Sequence, residues 1–279
     1  MAEFSRLFNR LFKIKTKKLH ILLFFQVIAA LACAFFTYYE VINWHIRKNP
    51  QNNVGILPEW ALYFVFLAFF VIFFVYFITP LQSEKFNRSQ TWRLAAISDG
   101  QFYLVNVLST FVSFIYFIVL EFVTVMILLF SSYLTDKPVV YFFRDLLKSI
   151  LRNLDINVFW IILGTIVLAI LSCFFLYFVI SFFNFASRAI LDFVPANING
   201  AVVKVLHIVI IFGLIWFFFK IQNIFVYQVL LSVIHPTNYG LNLSSSLPFA
   251  ILANAISDLI LLGSNIFLIN HFYEATEHK

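Results

Sequence analysis

Two acidic side chains, Glu121 and Asp258, stand inside long apolar runs of this 279-residue sequence, and their chemistry demands most of its surroundings. An ionised carboxylate at mid-bilayer costs roughly 2.5–3.5 kcal/mol on insertion scales, so such a group is paired, stays protonated or faces a protein-lined path. Helical spacing gives both of them polar company. Asn254, Ser257, Asp258 and Asn265 share one helical face, and Ser113, Glu121 and Thr124 form a looser arc. In the first apolar run Gln26, Cys33, Thr37 and Glu40 align as well. The plain reading of these stripes is hydrogen bonding that glues helices together. The functional reading is an intramembrane polar seam, carried by Gln26, Thr37, Glu121, Asn254, Ser257 and Asp258, that lines a translocation path or a subunit contact.

No catalytic motif accompanies them. The seven glycines are scattered singly, without the GxxxxGK[ST] loop that cradles phosphates. The six histidines include no HExxH, there is no GxSxG elbow, and the carboxylates are too dispersed for a two-carboxylate acid/base site. Cys33 and Cys173 sit inside apolar runs with no CxxC or Cys/His spacing that could hold zinc or haem. Neither enzymatic activity nor a bound cofactor or metal is expected on this chain.

The elements that position the polar residues follow from composition. With 62% hydrophobic and only 11% charged residues, the chain has less than half the charge of a soluble domain, which carries roughly a quarter. Its apolar residues come in runs of about 20, the length that crosses a hydrocarbon core. The expected fold is an all-α membrane protein of six transmembrane helices, with spans at about 19–42, 60–79, 102–133, 158–184, 202–219 and 249–269. Residues 1–18 read as a separate interfacial helix: Phe4, Leu7, Phe8, Leu11 and Phe12 make an apolar face opposite Arg6, Arg10, Lys13 and Lys17. Residues 135–157 read as a second surface-lying amphipathic helix, with Phe142, Phe143, Leu146 and Ile150 opposite Arg144, Lys148 and Arg152. Residues 220–248, broken by Pro236, Gly240 and Ser244 to Ser246, suit a hairpin.

The basic N-terminus lacks a small-residue cleavage site after a short apolar stretch, so no removable leader is read there. Its six Lys and Arg, crowded against a span, point to anionic lipid rather than nucleic acid as the partner of the +6 net charge. Placing both termini in the cytoplasm puts twelve of the nineteen Lys and Arg inside and seven outside, the direction of the positive-inside rule. Trp44, Trp60 and Trp160 then share the outer interface, where indoles settle. The 81–101 segment becomes an inner loop, 135–157 and 220–248 lie outside, and 271–279 is a cytoplasmic tail, in an inner or plasma membrane.

The inner loop carries a resemblance. The run from Ser83 to Ser98, leading into Phe102-Tyr103-Leu104-Val105-Asn106, resembles the coupling segment of type-2 ATP-binding-cassette exporter permeases. There an acidic residue precedes a basic, Thr-containing helix, then an apolar turn ending in Ile-Ser or Val-Ser, then a span. Glu84, Arg88, Thr91, Leu94, Ile97 and Ser98 carry the match. Ala96 and Asn106 depart from it, standing where proline and lysine are common. The resemblance implies a permease half without ATPase activity, whose coupling segment, with Trp92 as an added apolar anchor, docks on a separate ATPase subunit holding ATP and Mg. A second permease half would complete the path, and the phenylalanine-rich walls lean toward an amphipathic or hydrophobic substrate. The competing readings are a non-transporting scaffold or immunity factor, and a proton-coupled secondary transporter using Glu121 and Asp258.

Overall fold

A computed structural model describes residues 2–45, 56–87, 89, 97–135, 144–145, 148, 156–191, 200–223 and 243–272. Six helices follow one another: α1 (Ala2–His45), α2 (Ile56–Asn87), α3 (Asp99–Thr135), α4 (Ile156–Leu191), α5 (Gly200–Asn223) and α6 (Leu243–His271). All except α5 contain a stretch long and apolar enough to cross a membrane, and α5 contributes a shorter apolar stretch, Val205–Lys220. At most 28% of any of the five windows is buried, so most of their apolar surface points outward. Large side chains such as Phe36, Phe69, Phe130 and Leu259 are exposed. Many buried positions are small or polar, among them Ala30, Ala34, Ser109, Ser113 and Asn265, and they lie alongside large buried side chains such as Phe64, Tyr103 and Phe185. That inside-out distribution is what helices packed in lipid require, because lipid is as apolar as leucine and close backbone approach provides the attraction. The chain is a multi-pass α-helical membrane protein.

Element boundaries depart from expectation for identifiable reasons. The separate helix at 1–18 and the span at 19–42 are one uninterrupted α1, since no Gly or Pro between residues 2 and 45 breaks its hydrogen-bond ladder. The amphipathic faces nevertheless hold: Leu7 and Leu11 are buried while Arg6, Arg10, Lys13 and Lys17 are exposed. Pro80 does not end α2, which continues through it to Asn87 and so takes up the start of the expected loop. The last helix begins at Leu243, absorbing Ser244 to Ser246 into α6, and its candidate span runs over Leu247–His271. Of the amphipathic segment at 135–157, only Thr135, Arg144, Asp145, Lys148, Ile156 and Asn157 are described, and Arg144, Asp145 and Lys148 are exposed. Residues 224–242 of the expected hairpin, and 273–279 of the tail, lie outside the described residues.

The chain divides into two compact units. One comprises Ser5–Thr79 and Leu108–Leu154. Here α1 and α3 run parallel, as the rungs Lys15 to Ser109 and Thr110, His20 to Tyr116, and Gln26 to Glu121 require. The α2 part of this unit packs through Ala61, Phe64 and Ala68 around Ala30 and Leu128. The other comprises Met1–Phe4, Pro80–Val107 and Asp155–Lys279. Its core gathers Tyr103, Val107, Tyr177, Phe178, Phe185, Leu261 and Ile269. α4 packs extensively on α6 and less on α5. A Cβ added at Gly164 of α4 would meet the Leu247 side chain of α6, which would have to shift. Phe218 of α5 meets Phe175 and Phe183 of α4.

Candidate functional site

The polar centre of the second unit is built around Glu84, near the end of α2. It is buried, and its carboxylate accepts three hydrogen bonds: from Asn87 Nδ2 at 2.9 Å, Ser181 Oγ at 2.6 Å and Asn184 Nδ2 at 2.6 Å. Asn106 of α3 donates to Asn87 Oδ1 at 2.7 Å and to the Ser83 carbonyl at 2.8 Å. The Tyr103 hydroxyl is hydrogen-bonded to Ser181 and accepts from Asn265 Nδ2 at 2.9 Å. Asn265 also donates to the Phe178 carbonyl. A continuous chain of hydrogen bonds thus runs from α6 through Tyr103 and Ser181 to Glu84, then through Asn87 to Asn106. In a low-dielectric interior such a network rigidifies what it joins, and it fastens the turns of α2 that follow Pro80.

Glu84 therefore stands differently from its expected place in a docking segment, since its carboxylate is spent on neighbours inside the bundle. Ser98 is exposed and caps α3: its Oγ accepts from the Gln101 amide at 3.3 Å and its carbonyl from the Phe102 amide at 2.9 Å. Ser98-x-x-Gln101 is a capping-box pattern, readable from sequence. Ile97 is half-buried, and Arg88, Thr91, Trp92 and Leu94 lie outside the described residues.

Comparison of the chain with protein-family models, curated proteins and solved structures gives no match. Function must be argued from the chain itself.

The expected seam is divided between the two units. Gln26 and Glu121 meet, Gln26 Nε2 donating to Glu121 Oε2 at 3.0 Å. Thr37 bonds the Cys33 carbonyl at 3.1 Å and the Tyr63 hydroxyl at 2.7 Å. In the unit containing α6, Asn254 and Ser257 are half-buried, and Ser257 donates to the Ala253 carbonyl of its own helix. Asp258 is buried with no hydrogen-bond partner for either carboxylate oxygen.

Two histidines contact a hydroxyl side chain. Ser187 Oγ lies 3.1 Å from the Asn184 carbonyl and 2.9 Å from His207 Nε2. His20 Nδ1 lies 2.8 Å from the Thr16 carbonyl and is therefore protonated, leaving Nε2 to accept from the Tyr116 hydroxyl at 2.9 Å. Among the described residues, no group of three or more His, Cys, Asp and Glu could hold a metal ion. The arrangement is suited to bracing and binding. Sequence reasoning passed over Asn87, Asn184 and Ser181, although amides such as Asn106 and Asn184 inside apolar runs were the available signal.

Proposed function

We propose that this chain is the transmembrane permease subunit of an ATP-binding-cassette exporter, receiving work from a separate ATPase subunit through the connection between α2 and α3. The observation that carries this reading is the bracing of that connection on both sides. Glu84 and Asn87 precede it, Tyr103 and Asn106 follow it, and all four enter a network that reaches Ser181 and Asn184 of α4 and Asn265 of α6. A displacement imposed on the connection would be passed to α4 and α6 rather than lost in a slack loop. The resemblance of residues 83–98 to a coupling segment supports the same assignment.

On this reading Arg88, Thr91, Trp92, Leu94 and Ile97 present the docking surface, while Glu84 and Ser98 hold its ends. The partner supplies ATP and Mg chemistry, a second permease half completes the path, and an amphipathic or hydrophobic molecule is moved across a plasma membrane. Trp92→Ala should weaken recovery of the ATPase subunit by about 30-fold, the equivalent of a hot-spot contact of about 2 kcal/mol. Arg88→Glu should act in the same direction, with like charge set against an acidic groove. Both should uncouple ATP hydrolysis from transport without reducing membrane insertion, and Arg152→Glu is the control. Equal partner recovery from all three variants would favour a non-transporting scaffold instead.

The topology belongs to the same proposal: six crossings that include α5, both termini cytoplasmic, the N-terminal basic face of α1 on anionic lipid, and residues 135–157 lying along the outer surface. In a background of Cys33→Ala and Cys173→Ala, a membrane-impermeant thiol reagent should label Pro50→Cys and Lys137→Cys on intact cells and spare Ser89→Cys. External labelling of Ser89→Cys would invert the assignment.

A further inference from the structure

Six buried polar atoms among the described residues have no hydrogen-bond partner, and two of them belong to one bonded pair. Gln26 Nε2 donates to Glu121 Oε2 at 3.0 Å, yet Gln26 Oε1 and Glu121 Oε1 are both orphaned. The two side chains are 4% and 2% exposed, so bulk solvent does not reach them. Both orphans are acceptors, and what they lack is a donor between them.

An amide and a carboxyl group are planar forks of the same shape. When the bonded N–H is the one syn to the amide oxygen, that oxygen and the other carboxyl oxygen come side by side. An ionised carboxylate leaves these two oxygens in repulsion. A protonated one closes an eight-membered ring, with N–H···O on one side and O–H···O on the other, and a single proton satisfies both orphans. We propose that Glu121 and Gln26 form a proton-binding site, in which the proton resides on Glu121 Oε1 and is donated to Gln26 Oε1, closing an acid–amide ring that joins α1 to α3.

The surroundings within this unit agree. Lys15 is taken by Ser109 and Thr110 at 2.7 and 2.5 Å, and His20 by Thr16 and Tyr116. From α2, Tyr63 is bonded to Thr37 and Tyr76 packs on Phe114. None of these titratable groups is bonded to the two free oxygens. His20 precedes Gln26 by six residues and Tyr116 precedes Glu121 by five, about 9 and 7.5 Å along their helices. Polar rungs thus lead from the basic end of α1 toward the site. Asp258 is a contrast, since both of its oxygens are orphaned and no amide oxygen is bonded beside it. The inference goes beyond the permease reading and does not depend on it.

The test uses the purified full chain in lipid vesicles. An infrared difference spectrum, wild type minus Glu121→Gln at neutral pH, should contain a neutral-carboxyl C=O band that moves on deuterium exchange, and no ionised-carboxylate bands. Gln26→Leu should shift that band to higher frequency by freeing the acid from its amide. Thermal unfolding supplies a second readout. A group that holds a proton when folded and loses it more readily when unfolded stabilises at low pH, and its contribution disappears as pH rises. The wild-type midpoint should therefore fall as pH is raised into the alkaline range more steeply than that of Glu121→Gln, whose amide pair forms both bonds without a titrating proton. Carboxylate bands in the difference spectrum, parallel pH profiles, or a wild-type midpoint raised by added sodium or potassium ions would each overturn the proposal, the last in favour of a metal-cation site.

Discussion

Replacing Glu84 with alanine is expected to destabilise the protein by about 3–5 kcal/mol, the range seen when one partner of a buried charged network is removed. The loss has two parts. The carboxylate's own hydrogen bonds disappear, and the donors of Asn87, Ser181 and Asn184 are left in a space closed to water. Each stranded donor costs about 1–3 kcal/mol when it cannot relax to another acceptor. Glu84→Gln offers a graded comparison. Its one remaining oxygen can face Asn87 and Ser181, which share Oε1, while its new amide group confronts Asn184, so a cost of about 1–3 kcal/mol is expected. Unfolding of the purified protein in mixed micelles measures both. Wild-type stability in Glu84→Ala would show that the network contributes nothing to holding α2, α3 and α4 together.

Asp258→Leu should have the opposite sign, stabilising by about 1–3 kcal/mol. Asp258 is 6% exposed and neither oxygen has a partner, so it incurs a desolvation penalty with no hydrogen bond in return. Leucine has the same branched outline, though its methyl groups are bulkier than oxygens, and removes the penalty; asparagine leaves polar atoms unpaired and should gain less. Proteins retain such costly groups where activity needs them, so on the permease proposal a transport assay should fall as thermal stability rises. A leucine variant less stable than wild type would refute this account of Asp258, and a more stable variant with undiminished transport would make the residue incidental.

How far the sequence reaches can be judged from individual residues. The helical class and the multi-pass character followed from apolar run length alone, because in a bilayer every backbone polar group must be satisfied within its own helix. The pairing of Gln26 with the span containing Glu121 was not legible, since each stripe was read on its own helix and periodicity says nothing about which helix faces it. Pro80 was read as a terminus by local propensity, whereas the tertiary anchorage of Ser83, Glu84 and Asn87 outweighs one missing hydrogen bond. Glu84 itself was noticed for its family pattern and assigned an outward role. Two of its three donors lie about a hundred residues away in sequence, beyond the reach of any spacing rule.

That separation also imposes a schedule on biosynthesis. Ser181 and Asn184 follow Glu84 by 97 and 100 residues, so at about 5–20 residues per second a ribosome needs roughly 5–20 s to deliver them. Asn265, which closes the chain through Tyr103, arrives later still. During that interval only Asn87, on its own helix, is at hand to donate to the Glu84 carboxylate. A helper that shelters acidic helix ends would act on this chain before its fourth helix is complete, and have nothing left to hold afterwards.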